Sequence, residues 1–412
     1  MHIKQKKSRF TAISIIIPAI IFLIFCMVIY PKDVFDASKT GISAWWNIVF
    51  PALLPFFISS ELLMNYGVVQ FMGVLLEPVM RPVFNLPGAA SFVMAVGYSS
   101  GFPISASLTA RLRKDRLCTK FEAERLMCFT NNASPLFMLV AVGVGMFGNP
   151  RLGVIIALVH YAANLMLGLL LRFYQTNDPE FIPRIERKDN ILRRAFLEMH
   201  TVTQTNPLHF GKVLGSAISS SINKLLLIGG FVIIFSVIIR VTALTGIMSL
   251  ITATLGIVLK PFGFSNAAVS ALGQGFFEMT LGTKAVSEAV SVPLLHKAAA
   301  ASIILGWSGL SVLAQVAAMI GETDLQMKLF VISRVFHGCL AGVICFIMFS
   351  LKPVLTWLAE PAAVMLYSGH PVSWWFSLCL SCRLCLYTLT IWFFTAMLIY
   401  IFRTFSIFRM HI

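Results

Sequence analysis

The chain is short of charge, and of acid above all. Only 17 of its 412 residues are Asp or Glu, and charged residues together make up 12%, where a soluble domain carries roughly 25%. That shortage excludes an ordinary solvated surface. Soluble-enzyme signatures are missing too: the chain has no Walker loop and no HExxH, and its one G-x-S-x-G string, "GYSSG" at Gly97–Gly101, lies in an apolar stretch. "SSGFP" lacks the strand–turn–helix setting of a nucleophile elbow. The chain is therefore not read as an enzyme, and ATP-driven transport by this chain alone is excluded. A metal or cluster site is not expected from the cysteines either. Cys379, Cys382 and Cys385 in "CLSCRLC" have no adjacent fourth ligand, and they fall on one stripe of an apolar helix, where cysteine packs as a small hydrophobe. No cofactor and no disulfide framework are expected from the eight cysteines.

Apolar residues are plentiful, at 58% of the chain, with a mean hydropathy of +0.85. Uncharged runs such as "TAISIIIPAIIFLIFCMVIY" and "LLLIGGFVIIFSVII" approach the roughly 20 residues that cross a bilayer. The chain reads as an all-α polytopic membrane protein. Its net charge of +15 would suggest nucleic acid in a soluble protein. Here the bases gather in "KQKKSR", "RLRKDRLCTKFEAER" and "RIERKDNILRR" beside or between spans, as the positive-inside rule requires, so no nucleic-acid partner is expected. The first apolar run follows a basic segment and is too long for a signal-peptide core, so residues 11–30 are expected to stay as a span.

Charge asymmetry orients the spans, with the N-terminus and the basic linker 174–212 cytoplasmic. Residues 43–65 return inward. Taken as a full span, residues 89–110 would leave Arg111, Arg113, Lys114, Arg116, Lys120 and Arg125 outside. A re-entrant hairpin broken at Gly97–Pro103 removes that conflict, since irregular backbone is tolerated at membrane depth where protein or a cavity surrounds it. Spans over 126–147 and 152–173 close the first half. A span over 222–245, a segment over 247–259, a second hairpin over 265–290, and spans over 298–320, 328–351 and 375–402 complete the chain. The expected organisation is an N-terminal segment and first helix (1–42), a first repeat (43–173), the linker (174–212), a second repeat (213–351) and a C-terminal part (352–412).

"RPVFNLPGAASFVMAVGYSSGFP" and "KPFGFSNAAVSALGQGFFEMTLGTK" support the repeat. Pro82 pairs with Pro261, Ala89 with Ala267 and Gly97 with Gly275, at offsets of 179, 178 and 178. By charge count the first repeat begins outside and the second inside, which makes them inverted-topology repeats. Such repeats with paired broken segments point to a transporter whose site lies near the midplane.

Four polar segments can converge there. The first hairpin offers Tyr98, Ser99, Ser100, Gly101 and Phe102, whose freed N–H groups at a half-helix start suit an anion. A glycine kink for close packing is the alternative. The second offers Gln274, Glu278, Thr280, Thr283 and Lys284. Charges at membrane depth face a cavity or a partner. Lys284 can instead pair with Glu288 at i, i+4, and Glu278 is either a proton-coupling carboxylate or an acceptor at the hairpin tip. Asn131, Asn132 and Ser134 interrupt one helix, and Trp307, Ser308, Ser311 and Gln315 interrupt its repeat mate. Interhelical hydrogen bonding is the plainer use of those groups. His160 and His337 read as packing residues, Glu61 as an interface cap and Arg334 as a snorkelling residue near the cytoplasmic end.

"GFFEMTLGTK", "LGWSGLSVLAQV" and "GFP" together resemble the YlbJ-type sporulation integral membrane proteins, within the wider group that carries nucleoside-recognition (Gate) domains. The resemblance runs from about residue 10 to 400. It implies a nucleoside-transporter-like fold, made in the mother cell, in the outer forespore membrane, moving dipicolinic acid towards the forespore. It supports Phe277, Glu278, Thr280, Gly282 and Lys284, then Gly306, Trp307, Ser308, Gly309, Ser311 and Gln315. One position departs from the family pattern: "GFPISA" has Ser105 where glycine is expected. Dipicolinate is a planar dianion. Half-helix N-termini, Asn131, Asn132, Ser308 and Lys284 can bind its carboxylates, and Tyr98, Phe102 or Trp307 can stack on its ring. The expected partners are that anion, the lipid bilayer, and a second copy of the chain or other sporulation membrane proteins. Nucleoside or other organic-anion transport, and a non-transporting scaffold built around the linker, are the alternatives.

Overall fold

The computed structural model describes residues 2–175, 180, 190–205 and 210–350, and every regular element among them is a helix. Helix α1 (His2–Ile29) is followed by α2 (Pro31–Ala44), which passes through a widened turn at Trp45–Val49 into α3 (Phe50–Asn65). Then come α4 (Val68–Val79), α5 (Ala90–Ser100), α6 (Ile104–Lys114), α7 (Lys120–Thr130), a run of wide π turns at Phe137–Met146, and α8 (Pro150–Leu171). The linker contributes α9 (Ile191–Thr205). The second half holds α10 (Phe210–Leu244), α11 (Ile247–Leu259), α12 (Asn266–Phe277), α13 (Met279–Glu288), α14 (Leu294–Trp307), α15 (Gly309–Ile320) and α16 (Met327–Ser350).

Local chemistry sets several boundaries. Thr119 and Glu122 form a reciprocal capping box at the start of α7, which satisfies two otherwise orphaned donors. Asn149 caps α8, with Pro150 at the first helical position. Ser265 caps α12. Among the described residues, five helical stretches are long and apolar enough to cross a membrane: Pro31–Asn65, Pro150–Leu171, Phe210–Leu244, Leu294–Ile320 and Met327–Ser350.

Three expected spans are corrected. The helix expected from 43 begins at Pro31, because a proline at the helix start favours initiation there. The span expected over 126–147 is two pieces, since Asn131–Ser134 is unwound. The span expected from 222 begins at Phe210. The expected final span (375–402) and its three cysteines lie outside the described residues, as do 176–179, 181–189 and 206–209 of the linker.

Hydrogen bonds fix the direction of the two halves. At one end, Arg125 donates to the carbonyls of Asn85, Arg172 and Tyr174, and Arg113 bridges Asp324 and Glu180. This linker end thus gathers both ends of the α5–α6 hairpin, the end of α8 and the α15–α16 connection. The second group lies at the start of α14: the His296 ring meets the Phe262 carbonyl at 3.2 Å and Phe346 at 5.7 Å, and Lys297 donates to the Ser287 carbonyl at 2.8 Å. It gathers both ends of the α12–α13 hairpin and the end of α16. Because α14 and α15 run from the second group to the first, the two groups sit at opposite ends of the bundle. The hairpins therefore enter from opposite ends and the halves run in opposite senses.

Two charged clasps tie α10 to the first half. Glu61 on α3 accepts from Ser220 at 3.1 Å and pairs with Lys224, and Asp33 on α2 pairs with Arg240. Between them, the Trp45 indole N–H donates to the Leu225 carbonyl at 2.9 Å. Helix α9 packs on α4 through Phe71 and Phe196 and an Arg194–Glu77 ion pair.

Candidate functional site

Each half carries two helix breaks, and each pair of breaks is in contact. In the first half the chain turns at Gly101 (φ 74°), a conformation that favours glycine. The next residue, Phe102, donates its N–H to the Asn132 carbonyl at 3.0 Å. In the second half the hairpin tip is Glu278, in extended conformation, and it meets Gly309. A Cβ on Gly309 would lie 3.0 Å from the Phe277 carbonyl oxygen and 3.1 Å from the Glu278 Cα, and its φ is +83°. The register is regular: Gly101 to Glu278 and Asn131 to Ser308 are both 177 residues apart.

The hairpin arms explain Ser105. In the second hairpin the arms nearly touch, with a Cβ on Gly282 falling 2.3 Å from the Gly275 Cα. In the first, the position of Gly282 is taken by Ser105, whose hydroxyl bonds the Thr130 hydroxyl at 2.6 Å. The serine fits because it has a buried partner on α7.

One cavity lies where the two hairpin tips meet the first break and α15. Its lining includes Ser100 and Phe102 from the first tip, Ser134 beside the first break, Glu278 and Thr280 from the second tip, and Gln315 from α15. The cavity holds about 50 Å³, room for a few waters. An aromatic ring needs these elements to part. The Glu278 carboxylate accepts from the Leu281 N–H at 2.7 Å and so caps α13, the acceptor role open to it from its place at the tip. Ser134 likewise accepts from the Phe137 N–H at 3.2 Å.

Five further expected residues are buried with polar atoms that no protein group satisfies: both side-chain atoms of Asn131, the Asn132 Oδ1, and the hydroxyls of Thr283, Ser308 and Ser311. Buried polar atoms are normally paired, so their concentration around the breaks leaves donors and acceptors for something other than protein. The Asn132 Nδ2 donates to the Phe129 carbonyl at 3.4 Å.

The remaining expected residues go elsewhere. Gln274 and Lys284 line a second cavity away from the tips, with Thr40, Arg240 and Glu288, and Lys284 pairs with Glu288. Ser99 bonds the carbonyls of its own helix. The Tyr98 ring stacks on Tyr161 at 5.4 Å, and its hydroxyl accepts from Asn164 at 2.9 Å. Trp307 stacks on Phe276 at 5.5 Å and donates to its carbonyl. Of the three expected ring stackers, only Phe102 faces the central cavity.

Several residues around the first break were not expected there. Arg334 does not snorkel: it is fully buried and donates to the carbonyls of Asn131 (3.1 Å) and Cys128. The His160 Nε2 accepts from the Ala133 N–H at 3.3 Å, and the Tyr161 hydroxyl donates to the Ala133 carbonyl at 3.1 Å. His337 meets the His160 carbonyl at 3.0 Å, with the two rings 4.4 Å apart. A signal for the histidines was present in the sequence, because they stand 177 residues apart, in register with the breaks.

Comparison with known proteins gives three findings. Residues 47–150 match the Gate (nucleoside recognition) family model. The sporulation integral membrane protein YlbJ of Bacillus subtilis (strain 168) is 44% identical over 348 residues, 83% of each chain. The structure of CNTnw in an inward-facing substrate-bound state superposes with a TM-score of 0.48 at 15% identity, over 79% of this chain and 90% of the other.

Proposed function

This chain belongs to the family of the sporulation integral membrane protein YlbJ, and on that premise we propose that it is a transporter of a small aromatic dicarboxylate, dipicolinic acid, across the outer forespore membrane, with its N-terminus and linker on the cytoplasmic side. The observation that carries the reading is the convergence of both hairpin tips, the first unwound segment and α15 on one cavity with Ser100, Ser134, Thr280 and Gln315 in its wall. Broken half-helices around a central site are how membrane transporters expose backbone donors to a cargo without exposing them to lipid. The unsatisfied amide of Asn131 and hydroxyls of Ser308 and Ser311 supply donors to carboxylate oxygens, and Phe102 supplies a ring face. Two opposed hairpins, one from each end of the bundle, allow access to alternate around that site.

The test is dipicolinate content in sporulating cells carrying Ser134→Ala, Gln315→Ala or Asn131→Ala, with mother cell and forespore separated and membrane levels matched by immunoblot. Dipicolinate held outside the forespore supports the reading. Normal forespore content in all three removes these residues from the path. A nucleoside cargo is the second reading, favoured by the match to a nucleoside-recognition model. Purified protein in vesicles that takes up uridine but not dipicolinate would select it.

A further inference from the structure

Arg334 is the largest fully buried side chain among the described residues, and no Asp or Glu of those residues forms an ion pair with it. Its Nε has no hydrogen-bond partner at all. A buried charge ordinarily has a counter-charge, because removing one from water is expensive. Here the guanidinium meets main-chain carbonyls instead, those of Cys128 and Asn131 at the C-terminal end of α7, and the Phe330 ring at 5.1 Å.

That end of α7 points at the central cavity, which Ala133 and Ser134 line immediately afterwards. A helix C-terminus carries roughly half a negative charge and is a poor wall for an anion. A full positive charge seated on its last carbonyls more than cancels it. At the related break in the second half, the position 177 residues before Arg334 is Ala157, so the repeat supplies no such cation to the end of α14. We propose that Arg334 is the residue that makes the cavity select an anionic cargo: without touching the cargo, it reverses the sign of the α7 terminus, while the Glu278 carboxylate in the same wall is turned to the Leu281 N–H that it caps. The inference rests on the anion reading above and names the residue that sets it.

The test measures dissociation constants of the full chain in lipid nanodiscs for two matched probes, dipicolinate and its neutral diamide. Wild type binds the dianion more tightly than the diamide. Arg334→Gln, which keeps donors towards the carbonyls, lowers that preference about tenfold or more, with diamide affinity nearly unchanged. Arg334→Lys keeps the preference. A merely structural role weakens both probes together and leaves their ratio fixed, and that result overturns the proposal, as does an unchanged ratio in the glutamine variant. Should the glutamine variant not accumulate, the lysine variant decides: preference retained supports a charge effect, and preference lost refutes it. If wild type itself shows no preference for the dianion, the dicarboxylate reading fails and takes this inference with it. If wild type prefers the dianion and Arg334→Gln does too, only the inference fails.

Discussion

The two helix breaks solve one backbone problem by different chemistry. Asn131–Ser134 is held by polar side chains from other helices: Arg334 from α16 takes its first carbonyl, and His160 and Tyr161 from α8 take the N–H and carbonyl of Ala133. Among the described residues, Ser308–Gly309 has no such collar. It is closed by small residues, with Gly306 against Gly338 (a Cβ would fall 2.7 Å from the Gly338 Cα) and Gly309 against the second hairpin tip. A polar collar fixes geometry through directed bonds, whereas glycine contacts fix it by leaving no room. The fold repeats while its electrostatics do not, since the buried Arg334 guanidinium is seated on the first break.

The sharpest way to test that contrast is to exchange the two devices between hairpins. Gly282→Ala drives a methyl into the Gly275 backbone and is expected to cost more than about 3 kcal/mol or to abolish folded protein, read by fluorescence-detected size exclusion and melting temperature. Ser105→Gly at the related position removes one hydroxyl bond and is expected to cost about 1 kcal/mol. Equal losses at both positions would refute the claim of different packing. Next in size is the histidine pair. His160→Ala leaves the Ala133 N–H buried without its acceptor and should cost about 1–3 kcal/mol. His337→Ala removes one bond to a carbonyl and should cost about 1 kcal/mol. A reversed order in thermal melts would show that the collar is held from α16 alone.

The smallest effect belongs to the latch at the linker end. The Arg113 guanidinium holds the Asp324 carboxyl below the usual carboxylate range. A lowered folded-state value gives stability that is present above the unfolded value of about 3.9 and is lost as pH falls through the folded one. Asp324→Asn should therefore cost less than about 1 kcal/mol at pH 7, because the aspartate is half exposed. The gap to wild type should persist to about pH 4 and close only below it. A gap that closes between pH 7 and 5 would contradict this assignment.

The repeat made the breaks legible. The pairing of Gly97 with Gly275, at 178, lies one residue off the 177 that separates the tips and Asn131 from Ser308, close enough to locate the breaks, and six of the seventeen expected residues line one cavity. Lys284 was drawn to the site by its charge, but Glu288 one turn away holds it. Tyr98 and Trp307 were drawn there as rings, but Tyr161 and Phe276 occupy them. Those partners lie 63 and 31 residues away in the chain, beyond any local pattern. Arg334 was misread for a related reason. Two turns into an apolar helix, it resembles a side chain reaching for the interface, and only the fold reveals that carbonyls over 200 residues earlier wait for it. Ser105 departed from its family pattern, and Thr130 supplies the cause.

The two clasps on α10 have a consequence for the lipid around the protein. Lys224 and Arg240 are sixteen residues apart, about 24 Å along a helix axis, slightly less than the roughly 30 Å of a typical hydrocarbon layer. Helix α10 itself has 35 residues, about 52 Å, so it overhangs that layer. The ion pairs thus act as graduations on a ruler. A bilayer much thicker than their spacing would drag one pair into hydrocarbon or force the helix to tilt. The thickness of the host membrane is in this way written into the distance between two salt bridges.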